Sequence, residues 1–233
     1  MLENIEHVFF DLDHTLWDFE TNSKHTLIEL FNEIEFDSES NLNFETFFGE
    51  YKRVNDFLWA EYRSKKIDKE GLRQRRFLQT LSNLGIVNAE AAHFMEEQYV
   101  LRSPHKTILM PETLSTLEDL SKRFKIHIIT NGFQEVQDVK IDKSGLHPYI
   151  THRITSDQVG VHKPDPAVFL HALKVTGAKR RQSVMIGDHL EADVLGAMRI
   201  GMEAVYFNPE QKPHGKQLKY EIRHLAELPP LFA

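Results

Sequence analysis

The stretch His7-Val8-Phe9-Phe10-Asp11-Leu12-Asp13-His14-Thr15 decides the reading of this chain. A short apolar run leads into Asp11 with no alternation of polar and apolar residues, so it reads as a strand buried on both faces. Two carboxylates follow, two residues apart, where the strand ends. While the chain stays extended, their side chains point to the same side. Two adjacent acids repel, and one pKa rises unless a cation intervenes. A hard cation such as magnesium relieves this with oxygen ligands. One acid is then available to attack phosphorus, because aspartate is an accepted nucleophile for phosphoryl groups. The other can protonate the leaving oxygen and later activate water. The same pair would also serve as caps at a strand-to-loop turn, so the stretch alone leaves both readings open.

Similar runs lie downstream. Lys125-Ile126-His127-Ile128-Ile129 ends in Thr130-Asn131-Gly132, and Ser183-Val184-Met185-Ile186 ends in Gly187-Asp188. Ala204-Val205-Tyr206-Phe207 is closed by Asn208-Pro209, and weaker strand character surrounds Arg153-Ile154-Thr155. Helical patterns separate them. Pro111 to Phe124 carries Leu114, Leu117 and Leu120, with Pro111 suited to a first turn. Pro166 to Thr176 carries Val168, Phe169, Ala172 and Leu173 and stops at Gly177, and Asp193 to Ile200 stops at Gly201. This alternation predicts an α/β core, a parallel sheet with helices on both faces. Residues 17–102 differ: they hold amphipathic patterns such as Thr26 to Phe31 and Phe57 to Tyr62, with no convincing strand. The expected organisation is a core of residues 1–16 and 103–233 interrupted by a helical insertion, residues 17–102, over the carboxyl ends of the strands.

In open α/β sheets ligands bind at those carboxyl ends, where residues distant in sequence converge. At Thr130-Asn131-Gly132, a hydroxyl, an amide and backbone N–H groups can hold phosphate oxygens, although Asn-Gly is also a common turn dipeptide. In His162-Lys163-Pro164-Asp165-Pro166, Lys163 sits in a stiff loop and can neutralise phosphate and nucleophile, while Asp165 and Pro166 fit a helix start. In Gly187-Asp188-His189-Leu190-Glu191-Ala192-Asp193, Asp188 can complete a magnesium site. Asp193 can cap a helix, hold metal-bound waters, or hold the lysine.

In this order, the four sites resemble the motifs of the haloacid dehalogenase superfamily, and the resemblance spans nearly the whole chain. It implies a Rossmann-like core with a helical cap and an aspartyl-phosphate intermediate. By this resemblance, Asp11 is the nucleophile and Asp13 the general acid and base. Magnesium is held by the Asp11 carboxylate, the Asp13 backbone carbonyl and Asp188. Thr130, Asn131 and Lys163 position the phosphate, with Asp193 and Thr15 behind the ligands. Asp13 points to phosphatases and mutases, since the dehalogenase branch lacks an acid there. His14 is a departure, standing where many members have glycine. Ile129 to Gln134, Thr155 to Val161 and Val54-Asn55-Asp56-Phe57-Leu58-Trp59 further resemble house-cleaning 5'-nucleotidases acting on pyrimidine nucleoside monophosphates. Trp17, Phe19, Phe57, Trp59 and Tyr62 could stack on a base or form the core of the helical insertion; core is the expectation for most, and Trp17 and Phe19, which follow the catalytic loop directly, are the better stacking candidates.

Charge and composition narrow the partners. A formal net charge of -7 disfavours nucleic-acid polymers and anionic membranes, which demand a basic face. With 0 cysteines, disulfides and thiolate chemistry are excluded. Met1-Leu2-Glu3-Asn4-Ile5-Glu6 has acids where a signal peptide has positive charge, and no apolar run approaches a membrane span. The expectation is a cytoplasmic enzyme, monomer or homodimer, acting on a small phosphorylated metabolite. A sugar-phosphate phosphatase or phosphomutase shares every catalytic residue named. A non-catalytic phospho-ligand module would have little need for both Asp11 and Asp13.

Overall fold

The computed structural model describes residues 1–34 and 42–232. The chain divides into two compact units, residues 1–19 with 107–233 and residues 20–106.

The first unit is built on a six-stranded, parallel sheet. Its strands are β1 (His7–Phe10), β2 (Lys125–Thr130), β3 (Ile150–Thr155), β4 (Ser183–Gly187), β5 (Glu203–Phe207) and β6 (Glu221–Ile222), in the order β3-β2-β1-β4-β5-β6. The order reverses between β1 and β4, and the crevice at such a switch point is where this class of sheet binds ligands. Both faces are covered, which is why the strands read as unbroken apolar runs. Val8, Phe10, Ile126, Ile128, Val184, Ile186, Val205 and Phe207 share one core cluster. Phe9, Ile129, Ile154, Met185, Ala204 and Tyr206 share the other, with Val168, Phe169 and Ala172 packed among them.

The helix Pro166–Thr176 has the extent read from the sequence. Pro166 takes the first position, the Asp165 carboxylate accepts from the Ala167 N–H at 2.8 Å, and Gly177 ends it at φ 69. The other helical expectations shift. The helix expected from Pro111 begins at Thr113, behind Glu112 in a left-handed conformation at φ 65. The segment expected to start at Asp193 begins earlier, as a π-helical turn over Leu190–Leu195 followed by Gly196–Arg199. A helix over Gln134–Lys143 and strand β6 were not anticipated.

In the second unit, the described residues form four long helices: α1 (Phe19–Glu33, whose first residue belongs to the sheet unit), α2 (Phe44–Arg63), α3 (Lys69–Asn83) and α4 (Ala89–Arg102). Three of them open on side-chain caps: Asn43 to the Thr46 N–H, Asp68 to Gly71 and Asn88 to Ala91, at 2.7–2.9 Å. Each such cap contributes about 1 kcal/mol. Leu27, Leu30, Phe47, Tyr51, Phe77, Met95 and Tyr99 make the core. Arg76 is buried there in a two-bond pair with Glu96, at 2.8 and 3.1 Å. Among the described residues no helix is long and apolar enough to cross a membrane.

Candidate active site

β1 delivers Asp11 into the crevice, and the Asp11 N–H donates to the Ile186 carbonyl of β4 at 2.9 Å. The chain then turns tightly. The N–H groups of Leu16 and Trp17 both donate to the Leu12 carbonyl, and His14 takes a left-handed conformation at φ 64. That conformation favours glycine over a side chain. The His14 side chain is exposed, and its ring lies 4.8 Å from that of Phe19.

Lys163 enters from the loop before the Pro166–Thr176 helix. Its ammonium donates to Asp11 Oδ1 and to the Ile129 carbonyl, both at 2.7 Å, and lies 2.6 Å from Asp193 Oδ1. The side chain is 2% exposed. Burial works against its charge, but Asp11 and Asp193 outweigh that and lift the ammonium above the usual lysine range. The Lys163–Pro164 peptide bond is cis. Asn131 fixes this loop: its amide donates to the Lys163 carbonyl at 3.1 Å and accepts from the Lys163 N–H at 2.8 Å.

Asp188 follows β4. Its carboxylate accepts from the Thr15 hydroxyl, and its N–H donates to the same Thr15 oxygen, each at 3.1 Å. Asp193 Oδ2 accepts from the His189 N–H at 3.1 Å. Gly187 makes room for it, because a Cβ there would stand 2.3 Å from Asp193 Oδ2. Oxygens of Asp11, Asp188 and Asp193 all lie within 4.8 Å of one another. Burial is the largest influence on Asp11 and pushes its carboxyl well up. Lys163 opposes the shift, and Asp193 and Asp188 add to it. Burial and then Asp193 push Asp188 up in the same way, against His14 and the Thr15 hydrogen bond. Three carboxylates face one ammonium, so the set has oxygen donors and unbalanced negative charge. It could hold a hard divalent cation, which would remove the repulsion.

Asp13 has different surroundings. Its Oδ2 accepts from the Gln137 amide at 2.7 Å and its Oδ1 from the Lys140 ammonium at 2.5 Å. Burial alone would raise this carboxyl, but the charge and hydrogen bond of Lys140, with Gln137, hold it below its ordinary value. Gln137 also bonds to the Thr130 hydroxyl oxygen at 3.2 Å, and that oxygen accepts from the Gly132 N–H at 3.1 Å.

The structure therefore brings together Asp11, Asp13, Thr15, Thr130, Asn131, Lys163, Asp188 and Asp193, all on the sheet unit. The Asn131 side chain is engaged by the Lys163 backbone through its amide oxygen and one amide N–H, which leaves its second amide N–H and its main chain to meet a phosphate. Trp17 is the correction. It is 0% exposed, within the core of the sheet unit, and offers no face to a base. Phe19 is half-buried, Tyr62 is buried, and Phe57 and Trp59 keep exposed area. Gln137 and Lys140 were missed because the helix bearing them was missed.

Residues 5–201 match the model of the haloacid dehalogenase-like hydrolase family. The chain is 29% identical over 227 residues to the pyrimidine 5'-nucleotidase YjjG of Escherichia coli (strain K12), covering 96% of both. It is 28% identical over 226 residues to the pyrimidine 5'-nucleotidase PynA of Streptococcus pneumoniae, covering 95% of this chain and 92% of that one. The fold superposes on the crystal structure of Bacillus subtilis YfnB bound to magnesium with a TM-score of 0.85 at 25% identity, covering 97% of this chain and 98% of that chain.

Proposed function

This chain belongs to the haloacid dehalogenase-like hydrolases, and from that premise we propose that it is a magnesium-dependent phosphomonoesterase working through an aspartyl-phosphate on Asp11, with nucleoside 5'-monophosphates as substrates. The observation that carries the reading is the pairing of two acids two residues apart in different surroundings. Asp11 is clustered with Lys163 and two further carboxylates, and Asp13 is held apart by its own lysine. Such division of environment assigns separate roles to paired carboxylates. The pyrimidine branch is favoured by the similarity to YjjG and PynA over nearly the full chain.

Asp11, Asp188 and the Asp13 main-chain carbonyl would hold the ion, with Thr15 fixing Asp188 and Asp193 behind. Bound magnesium supplies neutralisation of charge on the phosphate and the carboxylates. Lys163 adds a fixed positive charge beside Asp11. The Thr130 hydroxyl and the Asn131 main-chain N–H offer hydrogen bonds to the remaining phosphate oxygens, while the Gly132 N–H fixes the Thr130 oxygen. In the first step an Asp11 oxygen bonds to phosphorus as the ester P–O bond breaks, and Asp13 gives its proton to the departing alcohol oxygen. The negative phosphate beside Asp13 favours the protonated form needed there. In the second step Asp13 takes a proton from water, whose oxygen attacks the phosphorus and frees Asp11. Asp13 ionised against Lys140 is already the form that accepts this proton. Catalysis rests on position and charge.

Phosphate release is measured from a panel of nucleoside monophosphates and sugar phosphates, with magnesium and then with chelator. Chelator-sensitive release favouring pyrimidine monophosphates is the expected result. Release from sugar phosphates alone would replace the substrate, and absence of release from every ester would refute the phosphatase reading.

A further inference from the structure

The helix Gln134–Lys143 buries a lysine and a glutamine three residues apart, hence on one face. Both point at the same acceptor. The Lys140 side chain is 4% exposed, its ammonium 2.5 Å from Asp13 Oδ1. Burying a charge in this way is costly unless it is paired. The ammonium is further confined by aromatic faces, 4.1 Å from the Trp17 ring centroid and 5.4 Å from that of Phe19. Gln137 is 1% exposed and turns its amide nitrogen to both Asp13 Oδ2 and Thr130. The carboxylate can only accept, which fixes that orientation. As a result its own carbonyl oxygen, Oε1, is buried without a partner. Buried polar atoms are nearly always paired, and an exception marks a site where another demand prevails. Gly132 is small for the same reason: a Cβ there would lie 1.6 Å from the Gln137 amide nitrogen.

We propose that Lys140, with Gln137, is a positioning residue that holds the Asp13 carboxyl in the orientation from which it passes a proton to the leaving oxygen. An aspartate side chain free to rotate would seldom present an oxygen within hydrogen-bond reach of that atom, and proton transfer demands such reach. Lys140 engages one lone pair of Oδ1 and Gln137 one of Oδ2. Each oxygen keeps a second lone pair on which the transferable proton can sit. In the step itself the proton leaves Asp13 for the ester oxygen, the electrons of the breaking P–O bond go to that oxygen, and Asp11 forms the new bond to phosphorus. Lys140 touches no reacting atom.

This inference rests on the phosphatase reading and goes further by naming what holds its acid. The test compares two esters on wild type and on Lys140→Met, which keeps the stem against Trp17 and removes the ammonium. One ester is uridine 5'-monophosphate, or a sugar phosphate if that is the ester turned over. Its alkoxide leaving group needs a proton. The other is p-nitrophenyl phosphate, whose leaving group departs as a stable anion. kcat/KM stops at the first irreversible step and so isolates formation of the aspartyl-phosphate. Loss of proton donation is worth about 10²-fold or more on the alkyl ester, and p-nitrophenyl phosphate should fall far less. Gln137→Met should show the same selectivity with smaller amplitude, and it carries the test if Lys140→Met does not melt cooperatively. A merely structural role would lower both esters alike. Equal loss on both, an unchanged ratio, or a gain on the alkyl ester overturns the inference while leaving the phosphatase standing. Absence of phosphate release by wild type from every ester overturns both.

Discussion

Lowering the pH from 7.5 to 5 should destabilise this protein through His127, by an amount the structure sets. His127 is fully buried on β2 between two other histidines. Its Nε2 lies 3.0 Å from His7 Nδ1, the His152 ring centroid is 5.3 Å away, and Phe9 packs at 4.7 Å. Its Nδ1 is buried without a partner. Burial is the main reason its pKa is lowered from 6.5 to about 3, with His7, His152 and Lys125 adding to the effect. The folded protein keeps this ring neutral, whereas the unfolded chain protonates it below about 6.5. Stability from this residue is therefore complete above pH 6.5 and declines as pH falls towards about 3. At pH 5 the unfolded chain gains a factor of roughly 30, or about 2 kcal/mol as a ceiling. Allowing for solvent screening, we expect about half of that. Urea unfolding of wild type and His127→Phe, with chelator present throughout, isolates the effect because phenylalanine keeps a ring against Phe9 and does not titrate. Between pH 7.5 and 5, wild type should lose about 1 kcal/mol more than the variant. Parallel stability curves would refute the argument.

Asp11→Asn should fold normally by circular dichroism and lose roughly 10⁴-fold or more in turnover; ordinary activity in a clean preparation would remove Asp11 as nucleophile. Gly187→Ala places a Cβ 2.3 Å from Asp193 Oδ2 and must move that carboxylate. Titration calorimetry should then show magnesium affinity weaker by about 10–100-fold, the usual effect of disturbing a group behind the ligands. Gly132→Ala displaces Gln137 and should depress turnover of alkyl phosphates more than of p-nitrophenyl phosphate. Magnesium should raise the melting temperature of wild type, by an increment that grows with its concentration, and raise that of Gly187→Ala less at equal concentration.

The sheet was legible because a strand buried on both faces declares itself as an apolar run, and β1, β2, β4 and β5 all do so. β3 is only half-buried along its first residues, with His152 and Arg153 in it, and its signal was correspondingly weak. β6 contributes two residues, too few for a period to show. The polar groups at strand ends were legible for a related reason. Asp11, Thr130 and Asp188 each stand where an apolar run stops, and a polar residue at that place needs an explanation other than packing.

The helix carrying Gln137 and Lys140 escaped the same logic. Its buried face consists of Gln137, Lys140 and Ile141. Amphipathic periodicity assumes that what faces inward is apolar, and here two of the three inward residues bind Asp13 instead. The helix is hidden in the sequence because its inner face belongs to the site. The usable trace was the spacing of Gln137 and Lys140 a few residues beyond the Thr130 turn, where two long polar side chains fall on one helical face pointing back to the strand end. Local consistency breaks where a side chain serves chemistry. A polar pair at i, i+3 just after a strand-end motif is therefore a reason to look for the acid it holds.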